Sequence, residues 1–201
     1  MYIKEQLIDK IKRAFEGQTL DDGIGLWEAQ GIDDRLTQDE CKRLRIKDEK
    51  EDWNKIPVID LYKCSSSFSF FDAKGMRFHL PIFMLLALGV FRSEERELEK
   101  NGLLKSTIEP DIEFHLLYGL KYLNRKDETG KRTLEYHNER FSLLTSLQLQ
   151  SIVEFLKYRI SEIKEYSSKE VKMNASGMND DDIIQLEKGV EYWTKKMIIA
   201  N

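Results

Sequence analysis

The longest apolar run of the sequence covers residues 80–91, from Leu80 to Phe91, and contains Pro81 and Gly89. A membrane-spanning helix needs about 20 apolar residues, so this run is too short to cross a bilayer. It is also too apolar to face water. Because proline suits the first turn of a helix, the run predicts a central core helix over 82–91, which the rest of the chain must cover.

The composition is typical of one globular domain over residues 1–201, since 41% of the residues are hydrophobic. The 32 basic and 36 acidic residues nearly cancel to a net charge of -4, which argues against a nucleic-acid-binding surface. No segment predicts a membrane span or a secretory leader. The only cysteines, Cys41 and Cys64, have no metal-binding spacing and indicate reduced thiols. These features predict a cytoplasmic protein.

Helical periodicity and helix-end signals recur along most of the chain. The clearest end signals are the capping-box pair Thr37 and Glu40 and the helix-starting Pro57. A short strand is expected near 133–136, after a polar loop at 125–131. A polar linker is predicted at 166–178, before a last helix at 180–198 that Asn179 caps. The other predicted helices cover residues 3–15, 26–34, 37–49, 57–63 and about 146–165, and the acidic stretch 93–100 is expected to extend the core helix.

Two short strand-like runs, 68–71 and 76–80, flank the sequence Asp72-Ala73-Lys74-Gly75. Asp at the start and Gly at the end of four residues are typical of a hairpin loop, with positive φ at Gly75. The runs alternate between apolar and polar residues, which indicates half-buried strands. The chain is therefore predicted to be an α+β protein, dominated by helices, with a small antiparallel sheet that contains a hairpin at about 68–80.

The hairpin gives the first candidate binding site, formed by Asp72, Arg77 and His79. Arg77 and His79 would share one face of the second strand, where a cation and an imidazole can hold an anionic group. Alternatively, Asp72 only accepts hydrogen bonds from its own turn, and Arg77 only forms a surface ion pair.

A second candidate site is the alternating segment that contains Asp111, Glu113 and His115. If 111–124 is a strand, these side chains project from one face and are suited to bind a metal ion or to act as acid and base. If it is a helix, they separate, and a solvated charged edge strand is a further alternative. No histidine or cysteine pair has metal-ligand spacing. We therefore predict no metal and no cofactor.

Residues 70–81, Phe-Phe-Asp-Ala-Lys-Gly-Met-Arg-Phe-His-Leu-Pro, resemble the signature F-F-D-x-x-G-x-R-F-x-L-P of a bacterial family called domain of unknown function 6714. The resemblance covers about residues 1–165. It is weakest over 93–138, which is interpreted as an insertion. The family carries no known activity, so it implies no catalytic residue, and its pattern often has Tyr at the position of His79. Further matching positions are Gly23-Ile24-Gly25, Glu28-Ala29, Asp33, Trp53, Ile82, Phe83, Met84, Phe141, Gln148 and Phe155-Leu156.

The sequence contains no recognisable catalytic constellation, and its charges are balanced. We therefore predict a non-enzymatic bacterial protein that acts by binding another protein, with an immunity or accessory protein as one version. The alternative is a small enzyme or ligand-binding domain that uses either of the two candidate trios. If the three residues of one trio surround a shared pocket, the enzyme or ligand-binding alternative is favoured. If they are dispersed over a convex surface, protein binding is favoured.

Overall fold

The structure is a computed structural model that describes residues 4–171 and 180–199, and over these residues it contains helices and turns but no β-strand. The predicted α+β class is therefore wrong, and the described part of the chain is all-α. Four short 3₁₀ helices lie between the α-helices. The α-helices are α1 (Lys4–Ala14), α2 (Leu26–Asp33), α3 (Gln38–Leu44), α4 (Val58–Lys63), α5 (Ala73–Ala87), α6 (Arg92–Lys100), α7 (Ile112–Leu117), α8 (Glu128–Arg140), α9 (Ser146–Val171) and α10 (Asp180–Ile199).

The predicted hairpin at 68–80 is replaced by a 3₁₀ turn, Ser67–Ser69, and by the first half of α5. Almost every residue of α5 from Gly75 to Leu86 is buried. A helix buried on all sides has no polar face, so its sequence lacks the helical period, and the short alternation within 76–80 was misleading. The helix also continues through Pro81. Burial of the long apolar run offsets the hydrogen bond that the proline cannot donate.

Two other predicted strand segments are also helical. Residues 112–117 form α7, which decides the open choice between strand and helix for this segment, and the predicted strand 133–136 lies within α8. In contrast, the capping box at α3 is confirmed, because the Thr37 hydroxyl accepts the Glu40 backbone N–H and the Glu40 carboxylate accepts that of Thr37. The capping signal therefore located the start of α3 correctly, whereas the apolar–polar alternation over 76–80 predicted a strand in a segment that is helical.

The chain divides into two compact units, and the larger of them, the α5 unit, comprises Phe15–His115 and Glu135–Leu143. Its core is α5 together with buried aromatic side chains from the surrounding segments. The indole of Trp53 is buried and donates its Nε1–H to the Phe15 carbonyl at 2.9 Å. Phe68 packs edge-on against Phe83, with ring centroids 4.9 Å apart. Both cysteines are free and buried in this unit.

The second unit, the terminal unit, comprises Met1–Ala14, Leu116–Leu134 and Leu144–Asn201. Helices α9 and α10 pack along each other, and Trp193 is buried and donates to the Leu116 carbonyl at 3.2 Å. Helix α1 also packs on α9, where Lys10 pairs with Glu154. Helix α9 continues to Val171, so the first part of the predicted linker 166–178 is helical. Its remaining residues, and the predicted cap Asn179, lie outside the described residues.

Candidate functional site

The start of α5 holds the glycine-containing loop that precedes α2. Asp72 is the N-cap of α5, and its Oδ1 atom accepts the backbone N–H of Gly75 at 2.8 Å. The same oxygen accepts the backbone N–H of Ile24 at 3.0 Å. The prediction that Asp72 accepts backbone hydrogen bonds is therefore confirmed, although it caps a helix and not a hairpin turn. One carboxylate thus joins two segments that are distant in sequence.

Two glycines permit the close contacts around this loop. A Cβ atom on Gly75 would lie 2.3 Å from the carbonyl oxygen of Ile24. A Cβ atom on Gly25 would lie 1.9 Å from Oδ2 of Asp48. The predicted positive φ at Gly75 is wrong, because this residue is in the first turn of α5. Glycine is required there for close approach of two backbones.

Arg45 completes the polar clamp around the loop. Its guanidinium donates to the Gly23 carbonyl, to Glu28 Oε2 at 2.6 Å and to the Asp21 carbonyl at 3.0 Å. Each end of this cation therefore has an acceptor, and its charge has a carboxylate partner. We call Asp21–Glu28, Arg45 and Asp72 the loop clamp.

A groove of about 590 Å³ opens in the α5 unit beside this loop. Its walls are largely apolar, and several of the apolar side chains are exposed, including Ile32, Tyr136 and Leu143 at 37%, 45% and 39%. At the rim, Lys74 forms an ion pair with Asp22. The apolar lining residues are Ile24, Ile32, Phe70, Phe71, Ala73, Tyr136 and Leu143, and the polar ones are Asp22, Asp72, Lys74, Glu139, Arg140 and Ser142.

Arg140 is a buried cation in the wall of this groove, with 5% of its surface exposed. Its Nη2 atom donates to the Phe68 carbonyl, and its Nε atom is buried without a hydrogen-bond partner. None of the described carboxylates forms an ion pair with it. Burial lowers the pKa of the Arg140 guanidinium from its ordinary value. A buried charge without a counter-ion is costly, so this group is suited to receive an anion.

Aromatic rings hold the Arg140 side chain in place. The guanidinium carbon lies 5.3 Å from the ring centre of Tyr136, one turn earlier in α8, and 5.9 Å from that of Phe141. The Tyr136 hydroxyl donates to the Ser69 carbonyl at 2.8 Å, which ties α8 to the segment before α5. Neither Tyr136 nor Arg140 is among the site residues predicted from the sequence. Their spacing of four residues on a helix was the available signal, but the strand predicted at 133–136 concealed it.

The three residues of the first candidate trio do not share one cavity. Asp72 lines the groove, whereas His79 lines a second, smaller cavity, and Arg77 lines neither of them. The His79 ring is fully buried and stacks on Phe71 at 4.3 Å, and its Nδ1 atom lies 2.7 Å from the Gly75 carbonyl. Burial lowers the pKa of His79 to about 4. His79 is therefore neutral near pH 7.

The second candidate trio is distributed around α7. Successive helical residues turn by about 100°, so Asp111, Glu113 and His115 do not share a face as they would on a strand. Asp111 accepts the backbone N–H of Phe114 at 2.9 Å. The partly buried His115 stacks on Phe68 at 4.7 Å, and burial lowers its pKa to about 3.

The described residues offer neither a cluster of metal ligands nor a single membrane-spanning helix. They contain no group of three or more His, Cys, Asp or Glu side chains arranged to hold a metal ion. Among residues 4–171 and 180–199, no single helix has both the length and the apolar character needed to span a membrane. Helices α5 and α6 meet that criterion only as a pair, bent by 79°.

The described part of this chain is all-α, and its clamped glycine loop lies beside a groove that contains a buried arginine. This chain belongs to the family described as "Family of unknown function (DUF6714)", whose model matches residues 3–197. The match extends beyond the predicted range of 1–165 and includes most of α10. Neither a curated protein nor a solved structure matches the chain.

Proposed function

We propose that the protein binds a partner protein by taking a carboxylate group of that partner, together with an adjacent apolar side chain, into the groove beside α5. The observation that carries the proposal is Arg140, a buried cation to which the described part of the chain supplies no carboxylate counter-ion. In this view the counter-ion arrives with the partner.

The Arg140 guanidinium is poorly hydrated, because only 5% of the residue is exposed. A charge removed from water and left unpaired costs several kcal/mol in free energy, and the single bond to the Phe68 carbonyl offsets only part of that cost. A carboxylate would supply the missing charge and accept N–H bonds from a planar fork that matches its geometry. Binding would therefore remove an unfavourable state as well as form new contacts.

The apolar walls supply the second half of the proposed recognition. Tyr136, Leu143 and Ile32 line the groove, and each keeps more than a third of its surface exposed to water. A volume of about 590 Å³ lies within the range of small-molecule sites, roughly 300–1,000 Å³. It is large enough for one or two side chains of a partner, and tyrosine and arginine are the residue types enriched among interface hot spots.

The rim favours a defined orientation of the partner. Lys74 and Asp22 already neutralise each other, and Glu139 is exposed. Repulsion from Glu139 would direct a second partner carboxylate away from the rim and leave Arg140 as the one anion site of the groove. A cytoplasmic immunity or accessory protein that pairs with a toxin is one version of this proposal.

The test uses dipeptides that carry one carboxylate at the C-terminus, one carboxylate on a side chain, or none. Acetyl-Gly-Phe with a free C-terminal acid represents a chain terminus, acetyl-Glu-Phe-amide represents a side chain, and acetyl-Gly-Phe-amide is the neutral control. Binding is followed through the 1H–15N signal of the Arg140 Nε–H. We expect at least one acid to bind about tenfold tighter than the neutral control, as a charge-assisted hydrogen bond allows. The tighter acid identifies the source of the carboxylate.

The matched variants are Arg140→Met, which removes the buried cation, and Arg43→Met, which removes an exposed arginine of α3. Arg140→Met is expected to abolish the preference for acid over amide, and Arg43→Met is expected to preserve it. The proposal fails if acid and amide bind wild type equally, or if Arg140→Met, with an unchanged melting temperature, still discriminates between them.

A further inference from the structure

A second cavity of about 230 Å³ lies in the α5 unit, lined by residues of α2, α4 and α5 and of the segment 47–57. It is separate from the groove, since no residue lines both. At about 30 Å³ for each water in the liquid, this volume holds several waters or one small organic molecule. It is smaller than most drug-sized sites, which restricts the ligand to the size of a single amino-acid side chain.

The deepest polar group of this cavity is the ring of His79, of which 1% is exposed. Its Nδ1 atom lies 2.7 Å from the Gly75 carbonyl. Because a carbonyl can only accept, Nδ1 carries the proton and Nε2 is left as a hydrogen-bond acceptor. Nε2 is buried and has no hydrogen-bond partner. A buried acceptor without a donor is unfavourable, so we expect Nε2 to accept a hydrogen bond from an N–H or O–H group of a ligand.

Two carboxylates line the same cavity on either side of Trp27. Asp48 is buried and accepts the Trp27 backbone N–H at 2.7 Å, and Asp60 accepts the Trp27 indole N–H at 3.1 Å. Each carboxylate has about four lone-pair sites, so both retain the capacity to accept further hydrogen bonds. Together with His79 they form a negatively charged set of acceptors, and the other two buried lining residues, Leu26 and Ile56, have apolar side chains.

The cations at the cavity do not neutralise this set. Lys55 is exposed and pairs with Asp52 at 3.7 Å, and the Nζ atom of the exposed Lys47 lies 4.6 Å from the ring centre of Trp27. The remaining acid, Glu49, is occupied by three backbone N–H groups, those of residues 50–52. The buried part of the cavity therefore keeps its excess of acceptors.

We infer that this cavity binds a small organic cation with N–H donors, a primary amine or a guanidine, between the carboxylates of Asp48 and Asp60 and the Nε2 atom of His79. An ammonium group offers three donors and a guanidinium five, and neither accepts. These cations therefore supply the donors and the positive charge that the acceptors Asp48, Asp60 and His79 lack. A metal ion is not the inferred ligand, because these groups do not form a metal-binding cluster among the described residues. This inference does not depend on the proposed function of the groove.

The experiment titrates the 15N-labelled full chain with ethylammonium and with methylguanidinium. Tetramethylammonium is the matched control ligand, since it carries the same charge and has no N–H donor. The readout is the 15N shift of the unprotonated His79 Nε2. We expect a saturable shift with at least one donor cation and none with tetramethylammonium. Equal shifts with tetramethylammonium, or no shift of His79 with either donor cation, would overturn the inference.

A pair of variants tests the carboxylate contribution. Asp60→Asn keeps an oxygen that can accept the Trp27 indole N–H but removes the charge, and we expect it to weaken cation binding about tenfold or more. Asp39→Asn removes the same charge at an exposed position of α3 and is expected to leave binding unchanged. An Asp60→Asn protein that melts like wild type and binds equally well would contradict the inference. If Asp60→Asn unfolds, the comparison of ligands on wild type still decides the question.

Discussion

Arg45 and Arg140 both belong to the α5 unit, but the first is about one fifth exposed, the second is buried, and their hydrogen-bond partners differ. Arg45 donates to two backbone carbonyls and to the Glu28 carboxylate, so its charge is neutralised within the chain. Arg140 donates to one carbonyl and has no described carboxylate partner. A cation that already has a carboxylate partner needs no ligand, whereas a buried cation without a counter-ion is costly in free energy until a ligand arrives. The difference therefore separates a structural site from a candidate binding site.

The strongest test of this comparison is to remove each arginine in turn. Arg45→Met is expected to lower the free energy of unfolding by about 2–4 kcal/mol, because Glu28 and two carbonyls lose their partner. Arg140→Met is expected to change it by less than about 1 kcal/mol, because the loss of one hydrogen bond is offset by removal of an unpaired charge. Urea denaturation of both variants provides the measurement. Equal destabilisation would show that Arg140 is structural as well.

The loop clamp can also be tested through its glycines. In Gly75→Ala the new Cβ would lie 2.3 Å from the Ile24 carbonyl oxygen, so α5 or the loop must shift. We expect a cost of about 2–3 kcal/mol, typical of overpacking. Gly17→Ala is the control, since its φ of +69° is strained for alanine but no atom lies near the new Cβ; its expected cost is about 1 kcal/mol. A smaller loss of unfolding free energy for Gly75→Ala than for Gly17→Ala would show that the loop clamp can shift at little cost.

The buried imidazoles predict a loss of stability in mild acid. The folded-state pKa values of His79 and His115, about 4 and about 3, lie below the ordinary value of 6.5. The unfolded chain therefore binds more protons as the pH falls below 6.5, and stability is lost down to the folded-state values. Between pH 7 and pH 5 we expect the free energy of unfolding to fall by about 1–2 kcal/mol for each histidine.

Two variants separate the contributions to this pH dependence. His115→Phe preserves a ring against Phe68 and should make the decline shallower. Asp48→Asn should make it steeper, because burial raises the pKa of Asp48 from 3.8 to about 6, so that Asp48 alone favours the folded state as the pH falls through that range. Denaturation curves from pH 4.5 to 7.5 give both slopes. A His115→Phe protein with the wild-type slope would contradict the assignment.

The smallest effect is expected at Arg77, the one residue of the first candidate trio that lines neither cavity. Arg77→Ala should lower the free energy of unfolding by less than about 1 kcal/mol, through lost packing of its aliphatic part. It should also leave the acid preference of the groove unchanged, as measured with the peptides described for Arg140. Loss of that preference in a folded Arg77→Ala protein would move the binding site from α8 to α5.

Helix ends were predictable because their signals are local. The capping box of Thr37 and Glu40 is recognisable within four consecutive residues. Pro57, which is the N-cap of α4, is a start signal by itself. At the start of α5, Asp72 was correctly predicted to accept backbone N–H groups, but it was assigned to a hairpin turn and not to a helix. An Asp that caps a helix and an Asp that caps a turn accept the same kind of backbone hydrogen bond. Because α5 is buried on all sides, its sequence lacks the 3.6-residue hydrophobic period that would have distinguished a helix from a hairpin.

The candidate groove was not predictable in the same way. Its wall combines Asp72 with Arg140 and with Asp22, residues that lie far apart in sequence, and no local pattern shows that they meet. The missing counter-ion of Arg140 is likewise a property of three-dimensional packing. The sequence offered Tyr136 and Arg140 as a pair four residues apart, but the pair is informative only once 128–140 is known to be a helix.

The single Asp72 oxygen shared by two backbone amides has a consequence for hydrogen exchange. The Ile24 and Gly75 N–H groups both end on Oδ1 of this residue, although they belong to different segments of the chain. An opening that withdraws the carboxylate exposes both amides to solvent in the same event, so their deuterium uptake should follow one rate at every denaturant concentration. Because Asp72 and Ile24 both line the groove, this pair of amides reports how often the groove wall opens before any ligand is present.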